Sequence, residues 1–311
     1  MKKWQQNTLK KALKNPSKIV ELLATKGYLR WMNDKTYIKF LYKGYFGHNP
    51  NLKNPSTYNE KLQWLKLYDH NPLYTQLVDK YHVREYVQEK IGKEYLIPLL
   101  GIWNTPEQID FSELPDQFVL KCNHDTGSVI VCRDKNSLDK KETMEKLRRC
   151  LVNGTYWYTR EWPYKNVQPC IIAEKYMEDD KYHELRDYKF FCFNGMPKIM
   201  YVASGRMNPN IPTSFDFFDM DYNHLQIKQG HPNAEKTPEK PINFEKMKNL
   251  ARILSNGLIH VRVDFYEINN IVYFGEMTFY HMGGVYPFVP DSWDRTFGDW
   301  LNLPNSNCQR G

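Results

Sequence analysis

The chain has 311 residues, 41% apolar and 25% charged, enough for one large domain or two subdomains around a substantial core. Its net charge of +7 sits in the first 32 residues, which carry eight Lys or Arg against Glu21, so the rest of the chain is close to balanced. A balanced body argues against a nucleic-acid-binding protein, in which basic residues spread over the fold. Six cysteines, at 122, 132, 150, 170, 192 and 308, form no CxxC pair, which points to reduced thiols and away from zinc.

No run approaches the roughly 18 apolar residues of a spanning helix, and the basic N-terminus lacks the apolar stretch of a signal peptide. The expected location is cytoplasmic. The basic arm is either a solvated helical face or a contact with an anionic leaflet, at roughly 1 kcal/mol per Lys or Arg near the surface. The aromatic share is 15%, with 22 Tyr; these rings suit a core, or stacking surfaces in a cleft.

In chain order, Asn15-Pro16-Ser17 reads as a helix start, closed by Gly27. Further helices are expected at 58–70 and 72–91, the latter ending at Gly92 and containing Asp79-Lys80. From residue 95 the pattern changes to short strands: 95–100, 118–122, 129–132, 170–174, 188–193, 198–203, 260–266 and 271–276. Helices fit at 140–153 and 244–256, and the segment 205–241, rich in Pro, Asn and Gly, reads as a long loop. Asn194-Gly195 and Asn269-Asn270 are turn pairs that make hairpins of their flanking strands. The result is an α+β body behind a helical N-terminal segment.

Four segments carry chemistry. In His260–Tyr266, alternation places Arg262 and Asp264 on one strand face; Glu276 and Thr278 share a face of the partner strand. Converging carboxylates of this kind hold Mg²⁺ against nucleotide phosphates, with Arg262 beside them for a phosphate or carboxylate. A surface salt bridge is the plainer reading. Lys121 ends an apolar strand ahead of the polar loop Asn123–Ser128, which holds His124 and Gly127. This can bring an ammonium and backbone amides to phosphates, although a snorkelling edge lysine has the same pattern. Glu174, Lys175, Tyr176 and Met177 follow an apolar strand and can present backbone groups to an adenine edge. Lys80 on its helix can reach a phosphate.

The order of these segments resembles the ATP-grasp superfamily, and within it the TupA-like branch found with capsule, teichuronopeptide and other surface-polysaccharide genes. The branch resemblance rests on Asn59–Trp64, Asp79-Lys80, Asp187–Phe190 and Gly275–Phe279 and covers about residues 35–303. It implies an ATP-grasp fold in which two α+β subdomains with antiparallel sheets clamp ATP, with divisions at 1–70, 71–172, 173–303 and a 304–311 tail. It also implies that Lys80 and Lys121 contact the phosphates under a flexible flap at 123–128, with His124, Gly127 and Ser128 in the nucleotide site. Residues 174–177 would hold adenine and Asp187 the ribose. Asp264 and Glu276 would ligate Mg²⁺, with Thr278 where most of the superfamily has Asn. Arg262, Lys121 and Lys189 would act in catalysis, and Arg206 would add a further cation near the γ-phosphate or an acidic acceptor.

The implied reaction is ATP-dependent amide formation through an acyl phosphate. The implied partners are ATP, a carboxylate-bearing sugar or polysaccharide precursor (a uronic acid above all), and an amino acid or amine. A sugar-nucleotide-dependent glycosyltransferase is the alternative. Its only Asp-x-Asp match, Asp219-Met220-Asp221, falls in the expected loop. A non-catalytic polyanion- or membrane-binding module would leave Arg262, Asp264 and Glu276 without a purpose.

Overall fold

A computed structural model describes residues 19–20, 23–24, 27–125, 127–206 and 212–304. The helix start at Asn15, most of the basic arm and the end of the tail, with Cys308, lie outside them.

The helices come first. Helix α1 (Asp34–Phe46) starts where Asn33 accepts from the Thr36 amide at 2.9 Å, and it ends at Gly47 with φ +78°, the left-handed stop that glycine adopts freely. Helix α2 (Tyr58–Tyr68) opens with a capping box between Thr57 and Glu60, which satisfies orphan amides reciprocally. The single helix expected over 72–91 is instead two, α3 (Leu73–Val78) and α4 (Val83–Lys90). Asp79 interrupts them: its Oδ1 accepts from the Tyr81 and His82 amides at 2.8 and 3.1 Å. A short acidic side chain competes with helical hydrogen bonds in this way, so Lys80 stands in the break rather than on a helix.

Strands β1 (Leu99–Trp103), β2 (Phe118–Cys122), β3 (Ile130–Cys132) and β4 (Ile171–Lys175) form a four-stranded antiparallel sheet in the order β1-β4-β2-β3. Helices α5 (Lys140–Val152) and α6 (Tyr156–Thr159) lie between β3 and β4 in sequence. Leu147 of α5 joins Phe118, Leu120, Ile171 and Ala173 in the core of this sheet. The division expected at 172/173 falls inside β4, and the chain leaves the sheet only after Lys175.

The second sheet has six antiparallel strands: β5 (Asp187–Phe193), β6 (Met196–Ser204), β7 (Ser214–Asp219), β8 (His224–Leu225), β9 (His260–Ile268) and β10 (Ile271–Thr278), in the order β10-β9-β5-β6-β7-β8. Helix α7 (Phe244–Leu254) buries Phe244, Met247, Leu250, Ala251 and Leu254 in the main core, which also holds Phe190, Val263 and Phe265. The turn pairs behave as their residues require. Asn194 and Gly195 have φ of +50° and +75°, Asn269 and Asn270 of +50° and +65°, and each pair closes an antiparallel hairpin. Strands β7 and β8 correct the long-loop expectation for 205–241. From Ser214 to Phe218 every residue of β7 is buried, so no alternation marks it as a strand between its Pro- and Asn-rich flanks.

The last helix, α8 (Ser292–Trp300), packs across the start of α2. Asp294 Oδ1 accepts from the backbone and side-chain nitrogens of Asn59, both at 2.9 Å, and Lys61 donates to the carbonyls of Gly298 and Leu301 at 2.8 Å. The close approach needs Gly298: a Cβ there would lie 2.4 Å from the Ser56 carbonyl oxygen. Because that obstacle is backbone, Gly298→Ala should lower stability by about 1–3 kcal/mol, read as a lower urea midpoint at unchanged slope.

Candidate active site

The cleft-facing side of the six-stranded sheet carries a row of opposed charges. Glu276, Asp264 and Lys189 stand directly opposite one another on β10, β9 and β5, and Thr278 stands opposite Arg262. Period-2 alternation alone would not achieve this. Val272 and Phe274 of β10 point into the core, and an unbroken strand would send Glu276 after them. A bulge intervenes: Phe274 pairs with Phe265 and Glu276 with Asp264, leaving Gly275 as the extra residue. A Cβ on Gly275 would sit 3.1 Å from the Asp264 carbonyl oxygen and 3.3 Å from the Tyr266 ring.

Arg262 organises the cluster. Its Nε and Nη2 donate to the two oxygens of the fully buried Asp264, both at 2.7 Å, a bidentate pair of the strong kind. Nη2 also reaches Glu276 Oε1 and Thr278 Oγ1 at 3.0 Å. Nη1 donates to His281 Nδ1 at 2.7 Å, and His281 Nε2 donates to Gln229 Oε1 at 2.9 Å. Burial and the nearby cations Arg262 and Lys189 hold His281 well below its ordinary pKa, so the ring is neutral and can accept from Arg262. Lys189 binds Asp264, and binds Asp187 at 3.1 Å; Arg206 completes the chain on Asp187. Lys189, Arg206 and Arg262 thus each face a carboxylate. Asp264 has both oxygens engaged, whereas Glu276 is about a third exposed and is the carboxylate open to the cleft.

Two cavities meet at the bulge. One, of about 270 Å³, lies between the sheets, with Val119, Lys121, Val131 and Glu174 on one side and Asp187, Tyr266, Phe274 and Gly275 on the other. Lys175, Tyr176 and Met177 cross its rim. Glu174 is not a free acceptor there, since Lys121 pairs with it at 2.6 Å and Arg84 at 3.5 Å. Asp187 lines this cavity but is turned to Lys189 and Arg206. The other cavity, of about 660 Å³, contains Arg262, Glu276 and Thr278 together with Asp125, Gly127, Glu161 and several tyrosines.

The 123–128 loop is stapled by its own side chains. Asn123 donates to Asp79 and to the Gln168 carbonyl at 2.9 Å and accepts from the Cys170 amide at 2.9 Å. Ser128 bonds Asp125 and accepts from the Cys122 amide at 2.7 Å. His124 is buried, its Nε2 without a partner, and burial lowers its pKa. Only Gly127 is exposed among the described residues of the loop. Lys80 reaches over it, donating to the Asp125 carbonyl at 2.5 Å. No carboxylate among the described residues lies within ion-pairing distance of Lys80.

Asp219 spends its oxygens on the turn that follows β7, accepting from the Asp221 and Asn223 amides at 2.9 and 2.8 Å and from the Asn223 side chain at 2.8 Å. Asp219 of the one Asp-x-Asp match is thus committed to its own turn. Arg84, Gln229, His281 and Glu161 were not legible as site residues. Each is a lone polar residue without a pattern, and only the fold brings it to the cleft.

The TupA-like ATPgrasp family model matches residues 60–302 of the chain. The chain belongs to this family. With the family comes the ATP-grasp fold. The chain is also similar, at a TM-score of 0.42 and 13% identity, to D-alanine–D-alanine ligase from Helicobacter pylori, covering 79% of this chain and 70% of that one. For the ATP complex of D-alanine–D-alanine ligase from Bacillus anthracis the TM-score is 0.39 at 15% identity, over 66% and 54% of the two chains. D-cycloserine synthetase DcsG gives 0.41 at 13%, over 67% and 64%. The chain thus spans little more than half the length of the Bacillus anthracis ligase. No curated protein matches it.

The charges of the cluster have a measurable signature. Burial opposes ionisation of Glu276, but Lys189, Lys80, Arg262 and Arg206 outweigh it and hold the carboxyl well below its ordinary value near 4.5. A depressed folded-state pKa contributes stability that is present above about pH 4.5 and is lost as pH falls toward the folded value. The stability gap between wild type and Glu276→Gln should therefore shrink between about pH 6 and about pH 3.5, as measured by urea unfolding at each pH. A constant gap would contradict the assigned charge coupling.

Proposed function

We propose that the protein is an ATP- and Mg²⁺-dependent carboxylate–amine ligase that forms an amide through an acyl phosphate. One observation carries the reading: the β10 bulge stands between the two cavities, Gly275 lining the smaller and Glu276 the larger. A nucleotide whose base and ribose fill the inter-sheet cavity has its terminal phosphate directed toward Glu276, Arg262 and the larger cavity, where a second substrate has room.

Oxygen donors only, two carboxylates in register and a hydroxyl, suit Mg²⁺, which takes one or two protein carboxylates and completes its shell with phosphates and water. Among the described residues no three His, Cys, Asp or Glu form a cage, in keeping with an ion shared with a nucleotide. Glu276 is the open ligand, and Asp264 and Thr278 are its neighbours. When bound, the ion neutralises phosphate charge. The chain's own cations do the rest. Lys121 lines the inter-sheet cavity, and Lys80 holds the 123–128 loop through the Asp125 carbonyl. Arg262 faces the meeting point of γ-phosphate and carboxylate, and Lys189 balances Asp187 on its own strand and Asp264 on the neighbouring one. Such fixed dipoles and charges, shielded from water, supply the largest catalytic effect in many enzymes. No nucleophilic side chain is required.

For the carboxylate we propose a uronic acid or related sugar acid of a surface polysaccharide, with an amino acid or amine as its partner. Tyr45, Tyr158, Tyr164, Tyr280 and Tyr286 line the larger cavity and offer the combination of ring surface and hydroxyl that a sugar ring can use. Contact of the basic arm with an anionic membrane belongs to the same proposal; no described helix is long and apolar enough to cross a membrane.

Purified protein with Mg²⁺, ATP, a UDP-sugar pool including uronic acids, and pooled amino acids should release ADP and phosphate together with an amide-linked adduct, resolved by mass spectrometry. Free UDP with ATP untouched would replace this reading with sugar transfer. Glu276→Gln and Asp264→Asn should each reduce ADP formation by about 10²-fold or more, with folding checked by circular dichroism.

A further inference from the structure

Glu161 lies across the larger cavity from Arg262 and Glu276, and nothing so far gives it a task. Its position is built rather than incidental. Arg160 adopts the left-handed conformation, φ +55° and ψ +38°, at a cost of roughly 1–2 kcal/mol for a residue with a Cβ. Its guanidinium is buried among Tyr37, Tyr156 and Trp157, at 4.6 to 5.2 Å from their rings, and donates to the Leu29 and Met32 carbonyls at 2.9 and 3.2 Å. With Arg160 anchored there, the turn leaves Glu161 on the cavity wall.

Only 6% of Glu161 is exposed. Its Oε1 accepts from Thr159 Oγ1 at 2.6 Å. Among the described residues no Lys, Arg or His lies within ion-pairing distance of the carboxylate. Lys66 acts on it from further off, its ammonium held by the Gly283 carbonyl at 2.6 Å and Gln63 Oε1 at 3.1 Å. Burial raises the pKa of Glu161; Lys66, Thr159 and Arg262 oppose this, and Glu276 adds to it. Tyr164 and Tyr280 feel the Glu161 charge in turn. A buried carboxylate without an ion-pair partner is costly, and this one faces a cavity that can admit a partner. The surrounding tyrosines suit an organic cation, which ring faces attract.

We propose that Glu161 is the binding carboxylate for the ammonium group of the amine substrate, and that it takes one proton from that ammonium before amide formation. The assignment rests on the ligase reading and adds the amine's place within it. R–NH₃⁺ and the Glu161 carboxylate give R–NH₂ and the Glu161 acid. The amine lone pair then forms the C–N bond at the acyl carbon, the C–O bond to phosphate breaks, and its electron pair leaves with the phosphate. The second nitrogen proton goes to that phosphate, and Glu161 returns its own to solvent.

The test uses the full chain saturated with ADP and Mg²⁺, and n-butylammonium and 1-butanol as probes, with affinities from saturation-transfer NMR titrations. Wild type should bind the ammonium at least about 10-fold more tightly than the alcohol. Glu161→Gln should remove that preference with ADP affinity unchanged, and Glu161→Asp should keep an intermediate preference. Equal binding of the two probes by wild type would overturn the proposal without any variant. An unchanged preference in Glu161→Gln would also overturn it, leaving Glu161 as a structural counter-charge to Lys66. Should Glu161→Gln fail to fold, wild type and Glu161→Asp decide. Ammonium preference with no ATP turnover in wild type on any amine would sink the ligase reading while the cation site stands. Turnover without the preference would do the reverse.

Discussion

Arg262 and Asp264 bind each other through two parallel hydrogen bonds at 2.7 Å in a fully buried setting, and the cleft is arranged around that pair. A buried ion pair of this kind contributes little net stability against a hydrophobic replacement, yet removing one member costs several kcal/mol because the other is left uncompensated. The remaining donors of Arg262 hold Glu276, Thr278 and His281, and the other side of Asp264 holds Lys189. The pair therefore sets the position of three strands' polar side chains at once. A cluster so interlocked favours one arrangement, which is what preorganised charge requires.

The neighbouring constraint is the bulge at Gly275. One inserted residue turns Glu276 from the core face to the cleft face and places it opposite Asp264. It also brings the backbone of β10 against the smaller cavity, at a point where a Cβ would press on the Asp264 carbonyl oxygen and the Tyr266 ring. The same irregularity serves two spaces. Electrostatics and shape are coupled here through a single residue without a Cβ.

The Asn59–Trp64 segment, part of the motif that carried the family resemblance, has a structural role in this chain. Asn59 and Lys61 hold α8, Glu60 caps its own helix, and Gln63 donates to the Gly283 and Gly284 carbonyls at 3.1 and 2.6 Å. Those glycines and Met282 form a turn of consecutive positive φ, and Met282 and Gly283 line the larger cavity. Lys66, one turn further along α2, donates to Gly283 as well and has its pKa lowered to about 8 by burial. The helix reaches the larger cavity by holding the turn that lines its wall.

What the sequence determined by itself was local. Alternation along His260–Tyr266 placed Arg262 and Asp264 on one face, and Asn194-Gly195 and Asn269-Asn270 marked hairpins, because strand period and positive φ are properties of a few adjacent residues. The motif order carried the family, since it spans most of the chain. Tertiary structure decided the rest. Asp79 broke a helix that periodicity had drawn as continuous, and β7 became a strand because both of its faces found cover. Gly275 re-aimed Glu276, and the cations expected to stand ready for phosphates were already matched with carboxylates, apart from Lys80. Glu161 carried no local signal at all. Burial and charge pairing join residues far apart in the chain, Lys189 with Asp264 and Lys121 with Glu174 among them, so they exist only once the sheets have formed.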